Sequence, residues 1–246
     1  MPIQNLLIRP KNRLGPAKIR AETAGTEATL WLYDALDDWW GINAGDFCKE
    51  VAALTAETIH LRINSPGGDV FGARAIVAAL RGSGAKVIAH VDGLAASAAT
   101  FIAVNCHEIH MADGAFFMIH QAGTGTWGNA ADLRETADLL DKVDNTIVAD
   151  YVRKTGQDEQ QVRAWMAAET WFTAEEAKVA GLIDAIVTGQ SVDNSAWDFS
   201  GCRNAPQVLV GAPVRNEVLP EVVAPPDGAE LREHARRVLD LISLSR

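Results

Sequence analysis

The sequence predicts an α/β fold. Three observations carry that expectation. Short β-favouring segments recur along the chain, stretches with helical apolar spacing separate them, and Gly/Pro breaks such as Ser65-Pro66-Gly67-Gly68 mark the junctions. Strands alternating with helices in this way build α/β layers.

Taken in order, residues 1–27 are polar, rich in Gly, Pro and basic groups, and read as an N-terminal arm or short edge strand. Ala28–Tyr33 is a strand by content. Gly45–Leu54 is a helix candidate with Phe47, Val51 and Leu54 on one face. Thr58–Asn64 alternates Ile59, Leu61 and Ile63 inward, and Asp69 can cap a helix running to about Arg81. The cadence repeats: Lys86–Val91 a strand, Asp92-Gly93 a turn, Ala95–Asn105 a helix of small residues, then short strands at Glu108–Met111 and Ala115–His120. Gly123–Gly128 is a glycine-rich loop. Ala130–Lys154 is a long helix with Leu133, Leu139, Leu140, Val143, Ile147 and Tyr151 as its apolar positions. A helix at Asp158–Ala168, the pair Trp171-Phe172, a helix at Ala174–Ala180 and a strand at Leu182–Val187 complete a domain spanning 28–187. Residues 188–228, with five prolines, read as a mobile linker, and 229–246 as a helical tail with Leu231, Ala235, Val238, Leu239 and Ile242 on one face.

Composition narrows the function classes. Apolar residues make up 48% and charged residues 22%, the usage of a folded globular chain. A net charge of −10 argues against nucleic acid or anionic membrane as a partner. No signal peptide or apolar run of ~20 residues is expected. Cys48, Cys106 and Cys202 are scattered and form no metal-ligand spacing, which fits a reducing cytoplasm and no metal or cofactor.

Three segments following strands have the right chemistry for a site. Asn64–Asp69 carries paired glycines whose backbone can turn its amides toward a developing oxyanion, although an ordinary turn would read the same. Ser97, flanked by alanines in the expected first turn of a helix, leaves room for a substrate carbonyl; the alternative is a small-residue packing face. His120 closes an apolar strand and has the side chain best suited to general-base work near neutrality, or else is a hydrogen-bonded structural group. Two other patterns carry no function. Gly123–Gly128 fits G-x-G-x-x-G but lacks the βαβ unit that nucleotide binding requires. His107-Glu108-Ile109-His110 has i, i+3 spacing on a strand, which sends its imidazoles to opposite faces.

In this order the three segments resemble the Clp protease proteolytic subunit (ClpP) family. The resemblance covers roughly residues 28–187 through INSPGGDVFGARAI, DGLAASAATFIA, FFMIHQAGTGTWGNAADL and ETWFTAEEAKVAGLIDAIV. Its wording at Tyr33–Gly41 and Glu169–Phe172 is similar to the phage and prophage head-maturation branch. The resemblance implies a crotonase-like ββα superhelix, a homo-oligomeric ring and an ATP-independent serine endopeptidase without a cofactor. Its substrate would be a polypeptide, a capsid or scaffold protein, cut in the host cytoplasm or within assembling proheads. It also implies site roles: Ser97 as nucleophile, His120 as base, and the amides of Gly68 and Ala98 as oxyanion donors. Gly67, Gly123, Thr124 and Gly125 would bind extended substrate. Where the family usually has Asp as third member, this chain has Glu169, with Asp132 and Asp184 as distant alternatives. A non-enzymatic capsid scaffold and a crotonase-type acyl-CoA enzyme are the other readings.

Overall fold

In strand β4 (Thr58–Ser65), Ile59, Leu61 and Ile63 are fully buried while His60 and Arg62 between them are only half-buried. That period of two puts one face of the sheet into the core, each buried side chain contributing about 1.5–3 kcal/mol. The computed structural model describes residues 9–10, 17, 19–39, 41–189 and 197–210. In chain order its elements are β1 (Arg9–Pro10), β2 (Arg20–Ala24), β3 (Glu27–Leu32), α1 (Ala44–Ala53), β4, α2 (Val70–Gly82) and β5 (Lys86–Ala96). There follow α3 (Ala98–Ala103), β6 (Glu108–Ala112), β7 (Phe116–Ile119), α4 (Ala130–Thr155), α5 (Glu159–Ala167) and β8 (Thr170–Phe172). The last are α6 (Ala174–Val179), β9 (Ala185–Val187), β10 (Trp197–Asp198) and α7 (Gln207–Val210).

The main sheet has eight strands, in the path β2-β3-β4-β5-β6-β9, with β7 paired to β5 and β8 to β7. Strands β3 to β6 run parallel, joined by crossover helices, so the expected α/β class is what the chain adopts. Capping fixes the helix starts that frame the site. Asp69 accepts from the N–H groups of Phe71 and Gly72, at 3.0 and 2.9 Å. Asn129 and Asp132 form a capping box on α4, which ends on Gly156 at φ 68°.

Strand β5 differs from expectation in a way that matters. Instead of turning at Asp92-Gly93, it continues to Ala96 and serves two partners. Ile88–Val91 pair with β6, and Leu94–Ala96 pair with β7. Asp92 is held in line by Arg62 Nε and Nη2, at 2.7 and 2.6 Å, and by Tyr33 Oη at 2.6 Å. Burial of Gly93–Ala96 and pairing on β7 override the weak strand propensity of these small residues. The helix therefore starts at Ala98, and Ser97 is the junction rather than part of a first turn.

Both ends of the domain also depart from the expected boundaries. Residues 20–24 of the expected arm form β2, antiparallel to β3. Within the expected linker, 197–210 carry β10 and α7, and Trp197, Phe199 and Leu209 are buried against Leu94, Ala96 and Met118. The helical tail expected at 229–246 lies outside the described residues. Among those described, no helix is long and apolar enough to cross a membrane.

Candidate active site

Two strands deliver the central pair. β5 ends at Ala96 and presents Ser97; β7 ends at Ile119 and presents His120; the Ser97 N–H donates to the Met118 carbonyl at 2.9 Å. Ser97 Oγ lies 2.7 Å from His120 Nε2. The Ser97 backbone has φ 54° and ψ −125°, a conformation that L residues rarely adopt, and this sharp strand-to-helix turn lifts Oγ out of the sheet. A buried chain holds the turn: Tyr151 Oη meets Thr100 Oγ1 at 2.5 Å, and Thr100 Oγ1 donates to the Ser97 carbonyl at 2.5 Å.

The paired glycines pass beside this turn. A Cβ on Gly67 (φ 83°) would lie 2.5 Å from the Ala96 carbonyl oxygen and 2.7 Å from the Ala98 nitrogen. A Cβ on Gly68 (φ 138°) would lie 2.2 Å from the Leu36 carbonyl oxygen. Only glycine fits either position. Ser65 Oγ fixes the approach, donating to the Asp34 carbonyl at 2.5 Å and accepting the Gly67 N–H at 3.1 Å. Among the described residues, the N–H groups of Gly68 and Ala98 donate to no protein acceptor. Ala98 opens α3, so its N–H has no carbonyl one turn back.

Ser97, His120, Glu169, Gly68 and Ala98 all line one cleft of about 420 Å³, together with Gly123, Thr124 and Gly125. Gly67 lies behind them, against Ser97. The 123–128 backbone makes no backbone hydrogen bond among the described residues, leaving its polar groups open to an extended peptide. Just before it, buried Asp144 accepts the Ala122 N–H at 2.7 Å and anchors the loop where it leaves His120.

Burial is the largest influence on His120 and lowers its pKa to about 4; the Glu169 charge opposes that shift and the Arg203 charge adds to it. The imidazole is therefore neutral at neutral pH and can accept the Ser97 proton at Nε2. Glu169 is 1% exposed. Its Oε1 accepts the Asn204 N–H at 3.0 Å and faces Trp171 Nε1 at 3.4 Å, while Oε2 lies 3.9 Å from Arg203 Nε. Its influence on His120 is that of a neighbouring charge. The two other carboxylates considered from sequence sit elsewhere: Asp132 caps α4, and Asp184 accepts from the Ile109 N–H and from Lys154 Nζ. Of the decoys, His107 Nδ1 accepts the Val87 N–H, and His110 lies edge-on to His90 within the sheet.

Sequence reasoning missed Tyr151, Asp144 and the pair Arg203-Asn204. Asp144 did carry a signal, since it stands on the apolar stripe of α4, four residues after Leu140 and three before Ile147. Tyr151 was read only as an apolar position, and Arg203-Asn204 reach the site solely through tertiary packing.

Residues 43–190 match the family described as Clp protease. The chain is 32% identical over 168 residues to the ATP-dependent Clp protease proteolytic subunit 2 of Corynebacterium efficiens, covering 66% of this chain and 83% of that one. It is 32% identical over 152 residues to the proteolytic subunit 3 of Streptomyces coelicolor, covering 59% and 70%. With the proteolytic subunit of Streptococcus pneumoniae the identity is 33% over 143 residues, covering 56% and 73%. Strand, turn and cleft thus agree with the match over more than half of the sequence: the chain belongs to the Clp protease family, a family of serine endopeptidases that assemble into rings and act on polypeptides.

Proposed function

We propose that this chain hydrolyses peptide bonds with Ser97 as nucleophile, His120 as general base and acid, and Glu169 as the supporting carboxylate. The 2.7 Å contact between Ser97 Oγ and His120 Nε2, at a strained turn inside the cleft, is the observation that carries the reading. Ser97 Oγ bonds to the peptide carbonyl carbon as its proton passes to His120 Nε2. The carbonyl electron pair moves to oxygen, where the N–H groups of Gly68 and Ala98 receive it. Collapse of that intermediate breaks the C–N bond, and the proton on His120 goes to the departing amine. Water, deprotonated by the same imidazole, then releases the acyl group and restores Ser97. Glu169 stabilises the transient imidazolium, and the open backbone of Gly123–Gly125 pairs with extended substrate beside Gly67.

The finer reading is an ATP-independent head-maturation protease of phage or prophage type, working in the host cytoplasm or prohead as a homo-oligomeric ring that cuts capsid or scaffold proteins. The Tyr33–Gly41 and Glu169–Phe172 wording supports it. A purely scaffolding role leaves the strained Ser97 and the open Gly68 and Ala98 amides without purpose. Labelling with a fluorophosphonate probe, located by peptide mass mapping, tests the reaction class. Modification at Ser97, abolished together with peptide hydrolysis in a folded Ser97→Ala variant, is the expected result. Hydrolysis retained by that variant would remove Ser97 from the mechanism. Cleavage of purified capsid and scaffold proteins without ATP tests the finer reading, and a strict ATP requirement would overturn it.

A further inference from the structure

Glu169 is a buried carboxylate, and two of its three polar side-chain contacts, those to Asn204 and Arg203, come from a segment outside the family match. That match ends at residue 190, whereas the strap Trp197–Val210 follows it. The strap is anchored on the strands that present the nucleophile and base. Trp197, Phe199 and Leu209 pack against Leu94 and Ala96 of β5 and Met118 of β7. Phe199 meets Trp171 edge-on at 5.8 Å, and Trp197 Nε1 reaches Asn64 Oδ1 at 3.4 Å. So anchored, the strap brings the Asn204 N–H to 3.0 Å from Glu169 Oε1, and Asn204 Nδ2 donates to the Ala168 carbonyl at 2.6 Å.

We infer that the strap is a positioning element of the active site, the Asn204 N–H holding the Glu169 carboxylate where its charge acts on His120. The inference rests on the reading of Ser97, His120 and Glu169 above. A glutamate has one more rotatable bond than an aspartate, so its carboxylate needs an external constraint to stay in one place. It also needs donors, because a buried charge without hydrogen bonds is costly. Trp171 Nε1 is a long contact at 3.4 Å, and Arg203, with a side chain 74% exposed, stands 3.9 Å away. The Asn204 amide is the shortest of the three contacts and the one fixed by packed backbone. It is a positioning group: it touches Glu169 and takes no part in bond making.

The test separates the backbone N–H from the side chain. Asn204→Pro deletes the donor, and Asn204→Ala keeps it while losing only the bond to Ala168. In peptide hydrolysis, Asn204→Pro is expected to lower kcat by roughly tenfold or more, as loss of a hydrogen bond to a charged group does, with little change in KM. Asn204→Ala should stay within about twofold of the parent. In a Glu169→Ala background the proline substitution should cost nothing further, since its effect passes through that carboxylate. If proline unfolds the strap, an amide-to-ester exchange at the Arg203–Asn204 linkage, introduced by ligation at Cys202, removes the same donor with the backbone shape kept. Full kcat in the ester or proline variant, or an equal loss with and without Glu169, would overturn the inference. Absence of fluorophosphonate labelling at Ser97 in the unmodified chain would instead strike the reading beneath it.

Discussion

Glu169→Gln removes one charge from the site and leaves its shape. The glutamine carbonyl can still accept the Asn204 N–H and face Trp171 Nε1, so stability should change little. The imidazolium formed during the reaction loses its counter-charge. Taking ~5 Å, within the ~4–6 Å over which a neighbouring charge governs a titrating group, and an effective dielectric of ~20, Coulomb's law gives ~3 kcal/mol. Relaxation and water near the exposed Arg203 reduce this to ~1.5–3 kcal/mol, or roughly ten- to a hundredfold in kcat. The sign of the accompanying pH effect is fixed. Glu169 raises the His120 pKa against burial, which has already lowered it to about 4. Removing the charge lowers it further, so the acid limb of kcat/KM moves to lower pH while the plateau falls. A fluorogenic peptide assayed from acid to mildly alkaline pH, with thermal melts at each end, reads both effects. An unchanged plateau, or an acid limb displaced upward, would refute the assignment of Glu169 as the supporting charge.

Other perturbations follow from the same geometry. Arg203→Ala removes a cation that lowers the His120 pKa, so the acid limb should move to higher pH, opposite to Glu169→Gln; the same pH profile decides it. Tyr151→Phe deletes the hydroxyl that meets Thr100 Oγ1 and should cost ~1 kcal/mol in urea unfolding, with a drop in kcat as the Ser97 turn loosens. Gly67→Ala combines φ 83° with a Cβ 2.5 Å from the Ala96 carbonyl. It should cost at least ~2 kcal/mol in thermal or urea unfolding and abolish labelling of Ser97 by a fluorophosphonate.

Much of the fold was legible because local pattern and tertiary packing agree there. Ile59, Leu61 and Ile63 alternate in sequence and face the core together, and Asp69 caps the helix expected after the glycine pair. Legibility failed where long-range pairing decided the conformation. Gly93-Leu94-Ala95-Ala96 reads as turn and helix, and β7, some twenty residues downstream, draws it out as strand. For the site, the residue types at Ser97 and His120 were visible, while their 2.7 Å approach depends on β5 and β7 lying side by side. The strap was hidden for a third reason. It lies within the stretch 188–228, whose Gly, Asn, Ser and five prolines read as a linker, and the apolar residues Trp197, Phe199 and Leu209 dock it.

Backbone strain ties these features together. Among the described residues, only two without a glycine's freedom have positive φ: Ser97 at 54° and Glu169 at 51°. Such conformations cost of order 1–3 kcal/mol each and persist only where the surroundings over-determine them. At Ser97 the surroundings are pairing to β7 through Met118, the Thr100–Tyr151 chain and the close passage of Gly67. At Glu169 they are the end of α5, strand β8 and the docked strap. Ser97 Oγ lies 2.7 Å from His120 Nε2, and Glu169 acts on the same imidazole as a neighbouring charge. Substituting glycine at either would relieve the backbone but delete the group that the strain serves to aim. The cost is therefore retained at the two positions where the direction of a side chain matters more than the ease of its backbone.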